Sequence, residues 1–388
     1  MPVSEPQRGP RWRATVRVMK SRRRSTIPVP VYSALVVVAV ALAGCAPAST
    51  VAQAPPTPSA MAPAAPVSAP AAEVPPAPTR ILGGDCSALF PDTVVSDVLG
   101  TTVTARSIFL DSPNAHAVST LGGLSCEWSA PAGAEAAAGA ASVSAVLLSS
   151  AVAGAETESV TCYTGAITAT NDDASACRFS VIDGTAWLSG VVYAPTGTAE
   201  NDIRAAVARL ADVFRAIPSG EVTVPALPAT AWLPSGCADL SDAADVAATL
   251  RSPDLVGSDV AIDGPDSAPG LPAANAGAGT FACAWHTSGT VQNGTEPTGQ
   301  LDGFSIQGLP GGAWVQAQVM AQPGATIVDV PGADLAVRVP TAVGHEMLDV
   351  FDGVNWLQIA RADSLDPILP VLPALLDTLN AATVESSK

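Results

Sequence analysis

The sequence contains an internal duplication, which limits the possible folds more than any other feature. The first copy begins with Cys-Ser-Ala-Leu at Cys86 and continues to Cys-Glu-Trp at Cys126. The second begins with Cys-Ala-Asp-Leu at Cys237 and continues to Cys-Ala-Trp at Cys283. Later in the copies, Asp-Gly-Thr-Ala-Trp-Leu at Asp183 matches Asp-Gly-Val-Asn-Trp-Leu at Asp352. The chain is therefore predicted to form two similar units.

Each unit is predicted to end in a helix. Apolar residues recur at helical spacing in both copies, with Thr198 as the expected N-cap of the first helix and with Pro370 and Pro373 expected to kink or delay the second. The repeating residues are Ile203, Val207, Leu210, Phe214 and Ile217 in the first copy, and Ile368, Leu372, Leu375 and Leu379 in the second. Between the opening and closing helices, strands are predicted at 143–148, 188–193, 313–320 and 356–360. The predicted fold class is α+β, with two tandem domains that each contain a helix, an antiparallel sheet and a C-terminal helix.

Shifts in amino-acid composition along the chain indicate the boundaries of its segments and domains. Residues 1–44 are predicted to be a signal peptide, 45–79 a tether, 80–220 the first domain, 221–234 a linker and 235–388 the second domain. The tether from Ala46 to Thr79 has ten prolines in 34 residues, one charge at Glu73 and no aromatic residue. Such a segment cannot bury a core, and in polyproline II geometry it would reach about 100 Å.

The leader indicates export. A basic block at 20–24 precedes an apolar run at 29–43, and Leu-Ala-Gly-Cys ends at Cys45. A transmembrane helix is the alternative, but this run is shorter than the roughly 20 apolar residues that spanning needs. The four residues resemble the lipobox of bacterial lipoproteins. The resemblance implies cleavage between Gly44 and Cys45 and a diacylglycerol on Cys45, which would attach the protein to the outer face of the bacterial cytoplasmic membrane, facing the cell wall. General secretion and twin-arginine export both stay open, as do Met1 and Met19 as start residues.

Charge excludes one class of partner. Residues 1–44 hold 8 of the 18 basic residues and 1 of the 35 acidic residues, so the chain from Cys45 has 10 basic and 34 acidic residues, a net charge of −24. Such a surface repels phosphate backbones, and nucleic acid is not a predicted partner.

Six cysteines follow Cys45, an even number that favours disulfides in an oxidising compartment. Six cysteines allow 15 pairings, and the duplication predicts that Cys86 pairs with Cys126 and Cys237 with Cys283. Cys162 and Cys177 would then close a hairpin in the first unit. Zinc is the competing interpretation, but Cys-x-x-Cys is absent and the spacings are wide. No metal and no cofactor are predicted.

The paired Cys-x-x-Leu and Cys-x-Trp motifs, behind a lipobox and a Pro/Ala tether, resemble an actinobacterial, mycobacterial-type lipoprotein family with a domain of unknown function. They also resemble the extracellular sensor domain of one class of bacterial receptor kinase. The resemblance implies a compact α+β domain with a disulfide in each unit and no catalytic residues. Two departures are visible: the second unit has no counterpart of Cys162 and Cys177, and Arg251-Ser-Pro stands where the first unit has Gly100.

Catalytic motifs are not apparent. The only lysines are Lys20 and Lys388, and no Gly-x-Ser-x-Gly occurs. Of the three histidines, His116 is predicted in a polar loop, and all three are interpreted as surface or structural residues. No catalytic residue is predicted, and the chain is not expected to be an enzyme.

Tryptophans give the one predicted binding surface. Trp128, Trp187, Trp285 and Trp356 occupy matching places and are expected to fill the core of their own unit beside a disulfide. In a strand at 313–320, Trp314, Gln316 and Gln318 would share the outer face, where they could bind a partner.

The expected function is therefore a non-catalytic, lipid-anchored envelope protein that binds a protein, a glycan or a lipid. The alternatives are a solute-binding lipoprotein of a transporter and, third, an enzyme that acts on the cell wall.

Overall fold

Two antiparallel sheets form the framework of the protein in a computed structural model, which describes residues 74–107, 112–131, 141–155, 157–164, 175–195, 197–217, 224–261, 268–287, 303–341, 345–361 and 364–384. These residues belong to one compact unit, Val67–Lys388. Residues 1–73, which include the predicted signal peptide, Gly44, Cys45 and most of the tether, lie outside the described residues.

The first half contains helices α1 to α4 and strands β1 to β6. In chain order its elements are α1 (Cys86–Leu89), α2 (Asp92–Leu99), β1 (Thr104–Ser107), α3 (Pro113–Thr120), β2 (Leu124–Ser129), β3 (Ser142–Ser149), β4 (Ser159–Thr164), β5 (Ser175–Asp183), β6 (Ala186–Ala194) and α4 (Glu200–Arg215). The strand order in the sheet is β1-β2-β3-β6-β5-β4.

The second half contains helices α5 to α9 and strands β7 to β13. Its elements are α5 (Cys237–Ala243), α6 (Val246–Thr249), β7 (Leu255–Asp259), α7 (Gly270–Gly277), β8 (Phe281–Thr287), β9 (Phe304–Leu309), α8 (Gln316–Met320), β10 (Thr326–Val328), β11 (Leu335–Pro340), β12 (Glu346–Asp352), β13 (Asn355–Arg361) and α9 (Leu372–Ala381). The strand order, β7-β8-β9-β13-β12-β11-β10, repeats that of the first sheet and adds β10 at one edge. The fold is α+β, as the sequence predicts.

The predicted strands at 143–148, 188–193 and 356–360 are present within β3, β6 and β13. Both closing helices are also present, as α4 and α9. A 3₁₀ turn at Leu369–Val371 precedes α9, because Pro370 and Pro373 delay its start. The predicted N-cap of α4 is wrong: Ala199 occupies that position, and the Thr198 hydroxyl instead donates to the carbonyl oxygen of Pro195 at 2.8 Å.

The strand predicted at 313–320 is also wrong. Gly312–Val315 forms a 3₁₀ turn and α8 follows directly. Gly311, at φ +71°, reverses the chain after β9, and the residues that follow include the good helix formers Ala313, Ala317 and Met320. Ala317, which a strand would direct into the core, is exposed.

Each half has a core on the outer side of its sheet. Helices α1, α2 and α4 cover the first sheet there, and α5 and α9 cover the second. The second core also contains Trp232, which lies within the predicted linker 221–234. Trp232 is fully buried, and its indole N–H donates to Oδ1 of Asn380 at 2.8 Å.

A third core lies between the sheets and is built by both halves. Helix α3 of the first half contacts β9 and β13 of the second, while α7 of the second half contacts β3 and β6 of the first. The buried residues of this shared layer are mostly alanine, valine and leucine, with Trp187, Phe351 and Trp356 as the large members. The two halves therefore exchange helices reciprocally, and each helps to cover the sheet of the other.

Candidate functional site: buried polar groups in the shared layer

Polar side chains on the second sheet face the shared layer and form a row across three neighbouring strands. Asp349 on β12 lies opposite Gln358 on β13, which lies opposite Gln307 on β9. Asp349 is 1% exposed and Gln358 is 6% exposed. A buried carboxylate is costly unless hydrogen bonds satisfy it, so the contacts of Asp349 are decisive for this region.

Two side chains donate to the same carboxylate oxygen of Asp349. The indole N–H of Trp356 lies 2.9 Å from Oδ1, and the amide nitrogen of Gln358 lies 3.0 Å from it. Trp356 follows the Asp-Gly turn of the duplicated motif, which aims its ring into the shared layer. The carboxylate therefore orients both a tryptophan and a glutamine on the inner face of the sheet.

His116 is the ionisable residue that the first half contributes here. It lies on α3, is 4% exposed, and its ring centroid is 5.4 Å from that of Trp314 and 5.5 Å from that of Trp356, both in edge contact. Burial, together with the positive charge of Arg80, lowers the pKa of His116 from 6.5 to about 4. The imidazole is neutral near pH 7.

The predicted polar loop around His116 is therefore wrong, because residues Pro113–Thr120 form a helix. Two signals in the sequence indicate that helix: Pro113 follows Ser112 at a typical start, and the apolar residues Ala117 and Leu121 lie four apart. The place of His116 between two tryptophans of the other half could not be found from local patterns.

The predicted binding face of Trp314, Gln316 and Gln318 loses its geometric basis. Trp314 is partly buried in the shared layer, and its indole N–H lies 3.4 Å from the hydroxyl oxygen of Thr120. Gln316 is partly buried and Gln318 is exposed, on a helix where they do not alternate as in a strand. A binding role for these residues stays a prediction.

The matched tryptophans divide into two pairs. Trp128 and Trp285 fill the two outer cores with Cys126 and Cys283, as expected. Trp187 and Trp356 instead lie in the shared layer. The expectation that all four fill the core of their own unit is therefore wrong for this second pair.

Among the described residues three disulfides are present, and they are the predicted pairs: Cys86–Cys126, Cys162–Cys177 and Cys237–Cys283. Among the described residues, the one cluster with metal-ligand geometry consists of Cys237, Cys283 and Asp259. Its two sulfur atoms are bonded to each other, and Oδ1 of Asp259 accepts from the backbone N–H of Cys237 at 3.2 Å. That geometry is explained by the disulfide and its hydrogen bond.

Disulfides are typical of proteins that fold in an oxidising compartment outside the cytoplasm. Among the helices of the described residues, none combines the length and the apolar character that crossing a bilayer requires.

Comparison with known proteins adds little. No family model matches the chain, and no curated protein matches it. Among solved structures, one similar chain is DynU16, a putative protein in the dynemicin biosynthetic locus, with 10% identity, a TM-score of 0.12, and coverage of 76% of this chain and 94% of that one. Another is BexL, a di-domain ARO/CYC from the BE-7585A biosynthetic pathway, with 11% identity, a TM-score of 0.13, and coverage of 74% and 97%. Similarities this weak carry no argument about function.

Proposed function

We propose that the protein is a lipoprotein of the bacterial cell envelope, attached through Cys45 to the outer face of the cytoplasmic membrane, and that its folded part binds an envelope protein, glycan or lipid without catalysing a reaction. The observation that carries the proposal is the sequence Leu-Ala-Gly-Cys ending at Cys45, directly followed by a proline-rich tether. Two or more acyl chains on one cysteine anchor a protein stably, and the tether separates the folded part from the bilayer.

The three disulfides support an extracytoplasmic location. The burial of the polar cluster supports a non-catalytic role. Within the part of the chain that the structure describes, His116 and Asp349 are the ionisable side chains that face the shared layer near Trp356, and both are at most 4% exposed. A general acid or base must come within hydrogen-bonding distance of the substrate, and these groups are enclosed by packed side chains.

The shared layer also bears on the solute-binding alternative. A transporter's binding protein holds its solute in a cleft between two lobes, whereas α3 and α7 pack into the space between these two sheets. We therefore favour a partner that binds the outer surface of the molecule over a solute captured between the halves.

Lipid attachment is tested by expressing the chain in a bacterium that processes lipoproteins and labelling the cells with an alkyne analogue of palmitate. We expect the wild-type chain to be labelled and to fractionate with membranes, and the Cys45→Ser variant to be unlabelled and released. A matched control adds Ser68→Cys to the Cys45→Ser variant, which places a thiol in the tether outside the motif and should not restore labelling. Label or membrane attachment in Cys45→Ser would contradict the proposal.

The binding role needs a separate experiment. Cross-linking on intact cells should capture one recurrent envelope component with the wild-type chain, and the soluble Cys45→Ser chain should bind the same component when added back to cells. If the purified chain instead converted a bound small molecule into a chemically different product over repeated turnovers, the protein would be an enzyme.

A further inference from the structure

Among the described residues, no disulfide crosses the shared layer. Two of the three disulfides lie within the first half and the third lies within the second, and among the described residues no disulfide joins the halves. Contact between the halves therefore depends on the packing of α3, α7 and the inner faces of the two sheets. A change at the centre of this layer can act on the contact while the two outer cores stay intact.

His116 occupies such a position. It is contributed by the first half, and both aromatic rings that contact it, Trp314 and Trp356, belong to the second half. Cys126 and Cys283 are equivalent in the two copies and lie 157 residues apart, so the residue of α7 that corresponds to His116 is Ala273. Helix α7 therefore has no ionisable group at this position. The duplicated helix thus shows that a small apolar residue suits this position, and that the imidazole is a feature of the first half alone.

We propose that His116 makes the contact between the two halves proton-dependent: the neutral imidazole packs between Trp314 and Trp356, and a proton taken from solvent onto the ring loosens the shared layer. The outer cores, each secured by a buried disulfide, keep the two halves folded while the contact weakens. This proposal concerns the folded part alone and does not depend on lipid attachment.

Burial and a nearby charge both favour the neutral form of His116. The loss of solvent and, after it, the positive charge of Arg80 lower the pKa of the imidazole to about 4. The other elements in contact with α3 offer little to offset this, since α7, β9 and Gly312–Val315 contain no ionisable residue. Glu127 on β2 forms an ion pair with Arg106 at 2.7 Å. Arg361 is the last residue of β13, whereas Trp356 is near the beginning of that strand. Asp349 stands behind the indole of Trp356, to which it is hydrogen-bonded.

The sign of the effect follows from the two protonation states. In the separated halves His116 is in water, with a pKa near 6.5, whereas in the closed layer the pKa is about 4. The ratio of closed to loosened molecules is thus highest above pH 6.5, falls progressively as the pH is lowered, and is constant below about pH 4. Over that interval, the ratio of closed to loosened molecules should fall by about 300-fold, because each unit of pKa difference is a factor of ten.

The experiment uses the full chain labelled with 5-fluorotryptophan, so that each tryptophan gives its own fluorine NMR signal, assigned with single Trp→Phe variants. Between pH 7 and pH 4, the signals of Trp314 and Trp356 should shift or broaden, while those of Trp128 and Trp285 in the outer cores stay unchanged. In His116→Gln the acid-dependent change at Trp314 and Trp356 should be lost. Arg80→Gln should move its midpoint to higher pH, because removing a positive charge makes protonation easier.

The matched control is His345→Gln, which removes an exposed histidine and should leave the pH profile as in the wild type. Two results would overturn the proposal. One is an unchanged acid response of Trp314 and Trp356 in His116→Gln. The other is a simultaneous change of all the tryptophan signals in the wild type, which would show that acid unfolds the whole molecule and does not act on the shared layer.

Discussion

The inner faces of the two sheets occupy the same place in the duplicated fold, yet they hold their tryptophans in different ways. In the first sheet the indole N–H of Trp187 donates to the hydroxyl oxygen of Ser180 at 2.8 Å. In the second sheet Trp356 donates to a carboxylate, that of Asp349, at 2.9 Å. Both copies have the tryptophan and an acceptor at the same position, but the acceptor is a neutral group in the first sheet and an ionisable one in the second.

The neighbouring position explains part of this difference. In the first sheet Ser189 accepts from the backbone N–H of Gly270, the first residue of α7, at 2.7 Å. The corresponding first residue of α3 is Pro113, which has no N–H to donate. Gln358, which stands at the position of Ser189, donates instead to Asp349. A single proline at a helix start thus accompanies a different hydrogen-bond network on the facing sheet.

The largest expected effects come from removing the disulfides, and removing the equivalent disulfide from each half compares the stability of the two halves. In the chain-entropy model, loss of Cys86–Cys126 or of Cys237–Cys283, by paired Cys→Ser substitution, lowers the free energy of unfolding by about 4 kcal/mol each. Their sequence separations are similar, at 40 and 46 residues. Loss of Cys162–Cys177, with a separation of 15, should cost about 3 kcal/mol. Urea unfolding measures all three. A larger cost for the shortest loop would contradict the dependence on loop length, and clearly unequal costs for the two long loops would contradict the equivalence of the two halves.

Substitution of the two acceptors tests the comparison of the inner faces. Asp349→Ala leaves two buried donors without their acceptor and should lower the free energy of unfolding by about 3 kcal/mol. Ser180→Ala removes the acceptor of one indole and should cost about 1 kcal/mol. Asp349→Asn, which retains an oxygen for Trp356, is the control and should cost less than Asp349→Ala. Equal costs for Asp349→Ala and Ser180→Ala, measured by urea unfolding, would mean that the two networks contribute alike.

A smaller effect is expected where the opening helices end. Gly100 has φ +67° and Arg251 has φ +55°, so both halves use the left-handed conformation at this point. Glycine adopts it without a steric penalty, whereas arginine does not. Gly100→Ala should therefore destabilise the protein by about 1 kcal/mol, and Arg251→Gly should stabilise it by up to about 1 kcal/mol. Thermal unfolding of both variants measures the pair, and a loss of stability in Arg251→Gly would show that the Arg251 side chain makes a compensating contact.

Elements that depend on local pattern could be predicted from the sequence. The spacing of Ile203, Val207 and Leu210 predicts α4, and the paired cysteine motifs predict the disulfides that the structure contains. The departure at Arg251 is also visible in the sequence, although its backbone conformation is not. These features depend either on residues close together in the sequence or on a motif that occurs in both copies.

The shared layer could not be predicted, because it depends on contacts between residues far apart in the chain. A run such as Ala313–Met320 alternates apolar and polar residues and therefore predicts a strand, yet the turn at Gly311 and packing against β11, β13 and α3 favour a helix. His116 is surrounded by small and polar residues in the sequence, and the apolar environment that lowers its pKa comes from residues about 200 positions later. Sequence periodicity reports which face of an element is buried, but not which distant element buries it.

The reciprocal placement of α3 and α7 has a consequence for the history of the gene. A chain with one copy of the unit would have an uncovered apolar sheet face and a helix without a surface to pack on, and two such molecules could cover each other's sheet faces as a symmetric homodimer. Fusion of the two copies removes the dependence on protein concentration and frees each copy from the requirement that both faces be identical. The two copies now differ at such positions: serine stands in one where aspartate stands in the other, and histidine stands in one where alanine stands in the other.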